Sequence, residues 1–315
     1  MKEKKTGTGT VSSSPPTAMA SESCSRSPNS SFILHPSSFP LRPLLLYTLL
    51  ILLALTTLAP FLWMFFTSLH PPLSPIPTPK TLFAPTHFAF NNYSYVLFFP
   101  ELPVARFALN SILVTTAVVL FQLTICSLAA YAFARMTFPG RDTLFLIFLL
   151  TMMIPATVMI VPLFLTVHHM GLLNTYAGLI LPYPYLSTAF GTFLLRQFFV
   201  SIPKSLDEAA RLDGASDLQI YWHIILPASK PAIATLAAFG FIWTWTDFYW
   251  PMLATSTPSM RTLEVGLSIF KDSYGGTNWP LQMTAAVIVM TPALLFFLAL
   301  QRYFVKGIVL TGVKG

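Results

Sequence analysis

The sequence predicts an all-α polytopic membrane protein with six transmembrane helices and both termini on the cytoplasmic side. Three observations predict it. Hydrophobic residues make up 54% of the 315 and charged ones only 9%, against roughly 25% charged in an ordinary soluble domain. Six apolar runs are each long enough to cross a hydrocarbon core of ~30 Å, which takes about 20 helical residues. None of the runs alternates in polarity as the roughly ten-residue strands of a membrane barrel do.

Residues 1–40 are rich in Ser, Pro and Thr with few large apolar side chains, so they cannot offset chain entropy by burial, and a disordered cytoplasmic tail is expected. Residues 41–315 form one membrane domain, with spans at about 44–66, 108–132, 143–165, 176–195, 232–254 and 283–300. Pro60, Pro155, Pro162, Pro182, Pro184 and Pro292 fall inside these runs. Each removes a backbone donor and loosens its helix, which suits a pathway that opens and closes but is also common in membrane helices of any function. The stretch "HPPLSPIPTPK" in the loop 67–107 favours an extended spacer. Asn92-Tyr93-Ser94 matches the glycosylation pattern, a signal of low specificity. His168 and His169 lack acidic or cysteine neighbours at metal-ligand spacing and are expected to be interface residues. Cys24 and Cys126 offer neither a disulfide framework nor a metal site.

Orientation follows from the 18 Lys and Arg residues, which short cytoplasmic loops retain. Lys2, Lys4, Lys5, Arg26, Arg42, Arg135, Arg141, Arg196, Lys204, Arg211, Lys230, Arg302, Lys306 and Lys314 lie on one side of the six-span arrangement, leaving Lys80, Arg106, Arg261 and Lys271 on the other. The larger set marks the cytoplasm. The net charge of +7 therefore has a topological origin, and nucleic-acid binding, which would need a soluble basic face, is not expected.

The segment 197–231 is too long for a helix hairpin, where connections run to about 2–8 residues, and it holds four of the chain's 11 acids between 205 and 231. Ser205 and Glu208 have capping-box spacing, and Asp207 and Glu208 occupy a first turn where the helix dipole favours negative charge. Leu206, Ala209, Ala210 and Asp213 follow at helical spacing, and Gly214 suits the left-handed position that stops a helix. Ser216 or Asp217 can cap a second helix, on which Leu218, Trp222 and Ile225 are expected to share a face. Pro227 and Pro231 then interrupt the run.

"EAARLDG" followed by "IILP" spaces Glu208, Ala209, Ala210, Gly214, Ile224, Leu226 and Pro227 as Glu-Ala-Ala, three residues, Gly, nine residues, Ile, one residue, Leu-Pro. This pattern resembles that of permease subunits of binding-protein-dependent ABC importers. The resemblance extends through "YAFARMTFPGRD", "MMIPATVMIVPLF", "GLLNTYAGLILP" and "QRYFVKGIVLTGVKG", and looks like the sugar-importer branch, similar to the smaller permease of the maltose system. It implies the ABC importer type I permease fold in a bacterial cytoplasmic (inner) membrane. It also implies four kinds of partner: a second, homologous permease, two cytoplasmic ATPase subunits, an external solute-binding protein and membrane lipid. Residues 205–227 would then be the coupling loop that docks on an ATPase, with Glu208, Asp207, Asp213 and Arg211 offering charge pairs, and the C-terminal tail would reach toward the ATPase dimer.

No Gly-x-x-x-x-Gly-Lys-[Ser/Thr] loop occurs in the sequence, so ATP is expected to be bound by a partner and this chain to carry no cofactor or metal. Nor is there Gly-x-Ser-x-Gly or His-Glu-x-x-His, which argues for a transport subunit over an enzyme. Asp247, in "WTWTDFYWPML", is the one acid expected within a span, where ionisable groups usually face a bundle interior or water. Asp247, Trp243, Thr244 and Tyr249 are therefore candidates for the translocation path, although Trp and Tyr also form interface belts. An alternative solute is glycerol-phosphate or a polyol. An ion-coupled secondary transporter would want more intramembrane ionisable groups than Asp247 alone.

Overall fold

The computed structural model describes residues 41–82, 88–268 and 278–312, so the expected tail 1–40 lies outside the described residues. These residues form helices and connecting turns, with no β-strand among them. The chain divides into two compact units, Met1–Ala54 and Leu55–Gly315. In the first, residues 43–54 are the exposed, apolar early part of helix α1 (Leu41–Ser68). The packing described below belongs to the second.

The chain continues through the short α2 (Asn91–Leu97) and the 32-residue α3 (Val104–Arg135). The sequon residue Asn92 is buried, and its Nδ2 donates to the carbonyls of Ser68 and His70 at 2.8 Å each. It is a structural pin joining α2 to the end of α1.

The third expected span is broken. It comprises α4 (Arg141–Leu150), one 3-10 turn (Thr151–Met153) and α5 (Ala156–His169), with a 96° bend between its halves. Pro155 has no N–H to donate and forces the preceding Ile154 into extended geometry, here φ −81° and ψ 116°. The fourth is α6 (Tyr176–Ile180) and α7 (Pro182–Ser201), bent by 46°. Helix α7 runs five residues, 197–201, into the segment 197–231 expected as the following loop.

The loop itself holds α8 (Ser205–Leu212), α9 (Asp217–Ile220), a π-helical turn (Tyr221–Ile225) and α10 (Leu226–Ala228). A 79° bend then leads into α11 (Lys230–Trp245). The fifth expected span is also discontinuous. Helix α11 stops at Trp245, and α12 (Tyr249–Ala254) starts beyond an irregular Thr246–Phe248. Helices α13 (Leu263–Ser268) and α14 (Trp279–Gly312) complete the chain. By length and composition α1, α3 and α14 can each cross a membrane as continuous helices, and counting bent pairs as single spans raises the number to as many as six.

Helix α3 is the mast around which the rest packs. Val104 and Phe107 join one buried cluster with Trp245, Leu263, Leu281 and Ala285. Val114 and Val118 join a second with Leu179, Tyr183 and Trp250, and Cys126, Ala130 and Tyr131 a third with Leu195, Phe199, Ile220 and Leu236. Its buried polar residues organise the loops. Asn110 Nδ2 donates to the carbonyls of Ser259 and Arg261 at 2.8 and 2.9 Å, its Oδ1 accepts from Tyr176 Oη at 2.7 Å, and Ser111 Oγ accepts from Leu263 N at 2.8 Å.

Helices α3, α7 and α11 approach so closely that a Cβ on Gly191 of α7 would lie 2.6 Å from Cys126 Sγ and 3.0 Å from Leu236 Cδ1. Small residues permit such contacts where lipid supplies no hydrophobic drive between helices. Gly191→Val should therefore destabilise the fold by about 1–3 kcal/mol, the usual range for overpacking. Thermal unfolding in detergent measures this, and an unchanged midpoint would contradict the tight three-helix junction.

Candidate functional site

Helix α8 opens the site. The sequence reading put a capping box on Ser205 and Glu208, but the structure makes Lys204 the N-cap, with no side-chain cap bond, and Ser205 the first helical residue. Asp207 and Glu208 remain in the first turn and Arg211 in the last, all with favourable dipole sign. The helix stops as a Schellman turn. Gly214 has φ +82°, its N–H donates to Arg211 O at 3.0 Å, and Ala215 N–H donates to Ala210 O at 2.9 Å. A side chain at position 214 would be strained by backbone conformation alone, since a Cβ there meets nothing within 4 Å.

The capping box belongs to α9. Ser216 Oγ accepts from Gln219 N at 3.4 Å while Ser216 N donates to Gln219 Oε1 at 2.7 Å. The π turn that follows rotates the helix faces out of α-helical register. As a result Leu218 and Trp222 are exposed at 61% and 55% while Ile225 is fully buried, so the shared face expected for these three does not form. The inward face is Ile220, Tyr221 and Ile225. Ser229 ends the segment at the bend, its Oγ donating to Ile225 O at 2.7 Å, and Pro227 and Pro231 each sit at the start of the helices on either side.

The buried side of this segment is bolted to α3. Arg135 Nη2 donates to the carbonyls of Phe199 and Ile202, both at 2.7 Å, closing the end of α7. Arg135 Nη1 lies 3.1 Å from Asp207 Oδ2, with the two side chains 2% and 8% exposed. That contact is Coulombic and lacks hydrogen-bond alignment: Arg135 Nε and Nη1 and Asp207 Oδ1 have no hydrogen-bond partner. Tyr131 Oη donates to Asp217 O at 2.9 Å, Tyr221 Oη and Ser127 Oγ are 2.7 Å apart, and the two tyrosine rings pack at 5.3 Å. Asp207 is therefore held inside and is not a free charge for a partner, as the sequence reading had it.

The outward side is a small knob. Glu208, Ala209, Asp213, Gly214 and Pro227 are exposed, and Ala210, Ile224 and Leu226 are half-buried against the core. Leu206, Leu212, Leu218 and Trp222 add exposed apolar surface, Leu212 being 90% exposed. Arg211 pairs with Asp217 at 2.8 Å across the glycine turn. Beside it lies a concavity of about 290 Å³ between Asp213, Gly214, Gln219, His223 and Ile224.

The second candidate group is dispersed. Asp247 lies in the break between α11 and α12 and not within a continuous helix. Its Oδ1 accepts from Tyr249 N at 3.0 Å and its Oδ2 from Tyr183 Oη at 2.8 Å, so it caps α12 and ties it to α7. Thr244 is buried, Trp243 is 47% exposed and Tyr249 70% exposed, each in a different setting. No group of three or more His, Cys, Asp or Glu positioned for a metal occurs among the described residues. Sequence reasoning missed Arg135 and Tyr183 as site residues, because their partners lie 72 and 64 positions away in the chain and no local spacing announces them.

Removing one partner of a buried ion pair typically costs roughly 3–5 kcal/mol, whereas replacing both with apolar groups is often neutral. Arg135→Met should therefore lower the unfolding midpoint strongly, and adding Asp207→Leu should restore part of it. Differential scanning fluorimetry of the purified protein decides this, and additive losses would mean that the two side chains do not interact.

Comparisons with known proteins agree with this architecture. Residues 122–310 match the family described as binding-protein-dependent transport system inner membrane component. The chain is 38% identical over 208 residues to the sn-glycerol-3-phosphate transport system permease protein UgpE of Yersinia pestis bv. Antiqua (strain Antiqua), covering 66% of this chain and 73% of that one. It is 32% identical over 234 residues to the arabinooligosaccharides transport system permease protein AraQ of Halalkalibacterium halodurans, covering 74% and 82%. Among solved structures it is similar to a chain of a bacterial ABC transporter involved in the import of the acidic polysaccharide alginate, with TM-score 0.72, 26% identity and coverage of 84% and 96%. With more than half its length inside that family, the chain belongs to the inner membrane permease components of binding-protein-dependent ABC importers.

Proposed function

We propose that this permease carries a saccharide across the inner membrane and takes its drive from a separate cytoplasmic ATPase that grips the α8–α10 knob. The carrying observation is the knob's two-sidedness. Its outer surface exposes Leu212, Leu218 and Trp222, an apolar patch that is costly in water and characteristic of an interaction site. Its inner surface is fastened through Asp207 and Arg135 to α3 and to the end of α7. A push on the knob therefore reaches the spans directly. Glu208 and Asp213 stand exposed beside the patch and can set docking register.

The excess of Lys and Arg on the knob's side of the chain supports a cytoplasmic position for it and for both termini, with six spans once the bent pairs are counted as single crossings. A second permease, two ATPases and an external binding protein complete the importer in this reading, and ATP stays with the ATPases. Alternating access would open the path outward when the ATPases close on ATP and inward after hydrolysis. The 38% identity to a glycerol-phosphate permease favours a second reading, in which the solute is glycerol-phosphate or a polyol.

Two measurements test the proposal. Gly214→Val should abolish most solute uptake in proteoliposomes of the complete transporter while the ATPase subunits retain their own hydrolysis, and normal uptake would contradict the docking role. Isothermal titration of the transporter's solute-binding protein, against neutral saccharides and glycerol 3-phosphate, separates the two solute readings. Binding of glycerol 3-phosphate alone would refute the saccharide.

A further inference from the structure

The breaks in the bundle are not alike. At Ser229 the break is buried and its hydroxyl serves the carbonyl of Ile225, and at Asp247 a carboxylate caps the next helix. At Pro155 the unwound backbone is left on the surface, with Met153 76% and Ile154 47% exposed. Non-helical backbone at membrane depth is not stable against lipid and persists where it lines a water-filled cavity or is covered by protein.

A cavity is there. It has a volume of about 330 Å³ and is lined by Thr151, Met152, Ile154, Pro155 and Ala156 from the broken span and by Ala189, Phe190 and Trp243 from α7 and α11. Phe190 and Trp243 have ring centroids 5.4 Å apart, and Phe239 packs on both at 5.7 and 5.8 Å. The aromatic wall is therefore held from behind, and Trp243 keeps 47% of its surface open. On the other side Ile154 N–H donates to Thr151 O and Thr151 Oγ1 to Phe148 O, and the carbonyls of Met152 and Met153 take no backbone partner across the break. In the helix starting at Ala156, Val158 N–H donates to Pro155 O at 3.0 Å, and the N-cap, Pro155, supplies no side-chain bond for the N–H groups of Ala156 and Thr157.

An aromatic face opposite a strip of backbone donors and acceptors is complementary to a sugar ring, whose C–H face is apolar and whose hydroxyls both donate and accept. None of the lining residues is charged, so a phosphate would lack the basic partners it normally takes. The volume lies at the lower end of small-ligand pockets, roughly 300–1,000 Å³, which is room for one sugar unit and not for a whole oligosaccharide.

We propose that the broken third span and the aromatic cluster of α7 and α11 form a saccharide subsite belonging to this chain, in which Trp243 and Phe190 stack one neutral sugar ring and the backbone flanking Pro155 holds its hydroxyls. The inference rests on the saccharide reading above and adds a location and a chemistry to it. Asp247 and Tyr249 play no part in it.

The test uses the complete transporter in proteoliposomes with its loaded binding protein, and radiolabelled neutral saccharides and glycerol 3-phosphate as probes. Trp243→Leu and Phe190→Leu should each slow saccharide uptake roughly five- to tenfold, the scale of one lost aromatic contact, and Trp243→Phe should restore most of it. Uptake by Trp243→Leu equal to wild type, or no better by Trp243→Phe than by Trp243→Leu, overturns the subsite. As a measurement independent of uptake, Ala156→Cys, made with Cys24→Ser, should label more slowly with maleimide when the saccharide is present during vanadate arrest. Equal labelling overturns the subsite as well. Wild-type vesicles that carry glycerol 3-phosphate and no saccharide remove the substrate reading and the subsite together, whereas saccharide uptake that ignores Trp243 removes only the subsite.

Discussion

A backbone N–H or C=O inside a bilayer must find a partner within the protein, and this constraint governs where the chain is allowed to stop being a helix. The interruptions fall where something compensates for them. Ser229 returns a hydroxyl to the carbonyl of Ile225, Thr246 does the same for Ile242, and Asp247 caps α12. Trp250 Nε1 donates across 3.2 Å to Gly178 O in α6. The Pro155 break has a return of the same kind, Thr151 Oγ1 to Phe148 O at 2.7 Å, and differs in being exposed and lining a cavity.

The same constraint explains the buried charge at the end of α3. Arg135 does not simply anchor a helix end at a water interface, because its guanidinium is almost fully enclosed and spans the carbonyl of Phe199 in α7, that of Ile202 just beyond it, and the carboxylate of Asp207. Three elements distant in sequence are thereby joined at one residue. A buried ion pair is weak support for stability as such. Its geometry here supports a different role, in which α8 moves together with α3 and α7.

Much of the architecture was legible in the sequence because it rests on local chemistry. Apolar runs announced the helices, Gly214 announced the stop of α8, and Pro155 announced the break in the third span, whereas Pro60, Pro162 and Pro292 lie inside continuous helices. Other features were hidden for equally physical reasons. Ser205 and Ser216 both stand three residues before a Glu or Gln, and spacing alone could not tell which serine would have extended backbone. Ser216 has it, at φ −73° and ψ 160°, whereas position 205 lies inside the helix. The π turn at Tyr221–Ile225 slips the helical register by a fraction of a turn, so a face projected on 3.6-residue periodicity misassigns Leu218, Trp222 and Ile225. Asp247 sits in an apolar run, where hydropathy merges two helices that Thr246–Phe248 keep apart.

The sequence by itself determined the class of the protein, its helical segments and the family spacing from Glu208 to Pro227, because each depends on hydrophobicity or on groups a few residues apart. Only the tertiary structure decided which side of the α8–α10 segment is buried, that Asp207 belongs to Arg135 and that Asp247 belongs to Tyr183. It alone brought the broken third span opposite Phe190 and Trp243. These are pairings across 34 to 92 positions of chain, and they are chosen by how helices of nearly uniform grease pack against α3, which no local pattern encodes.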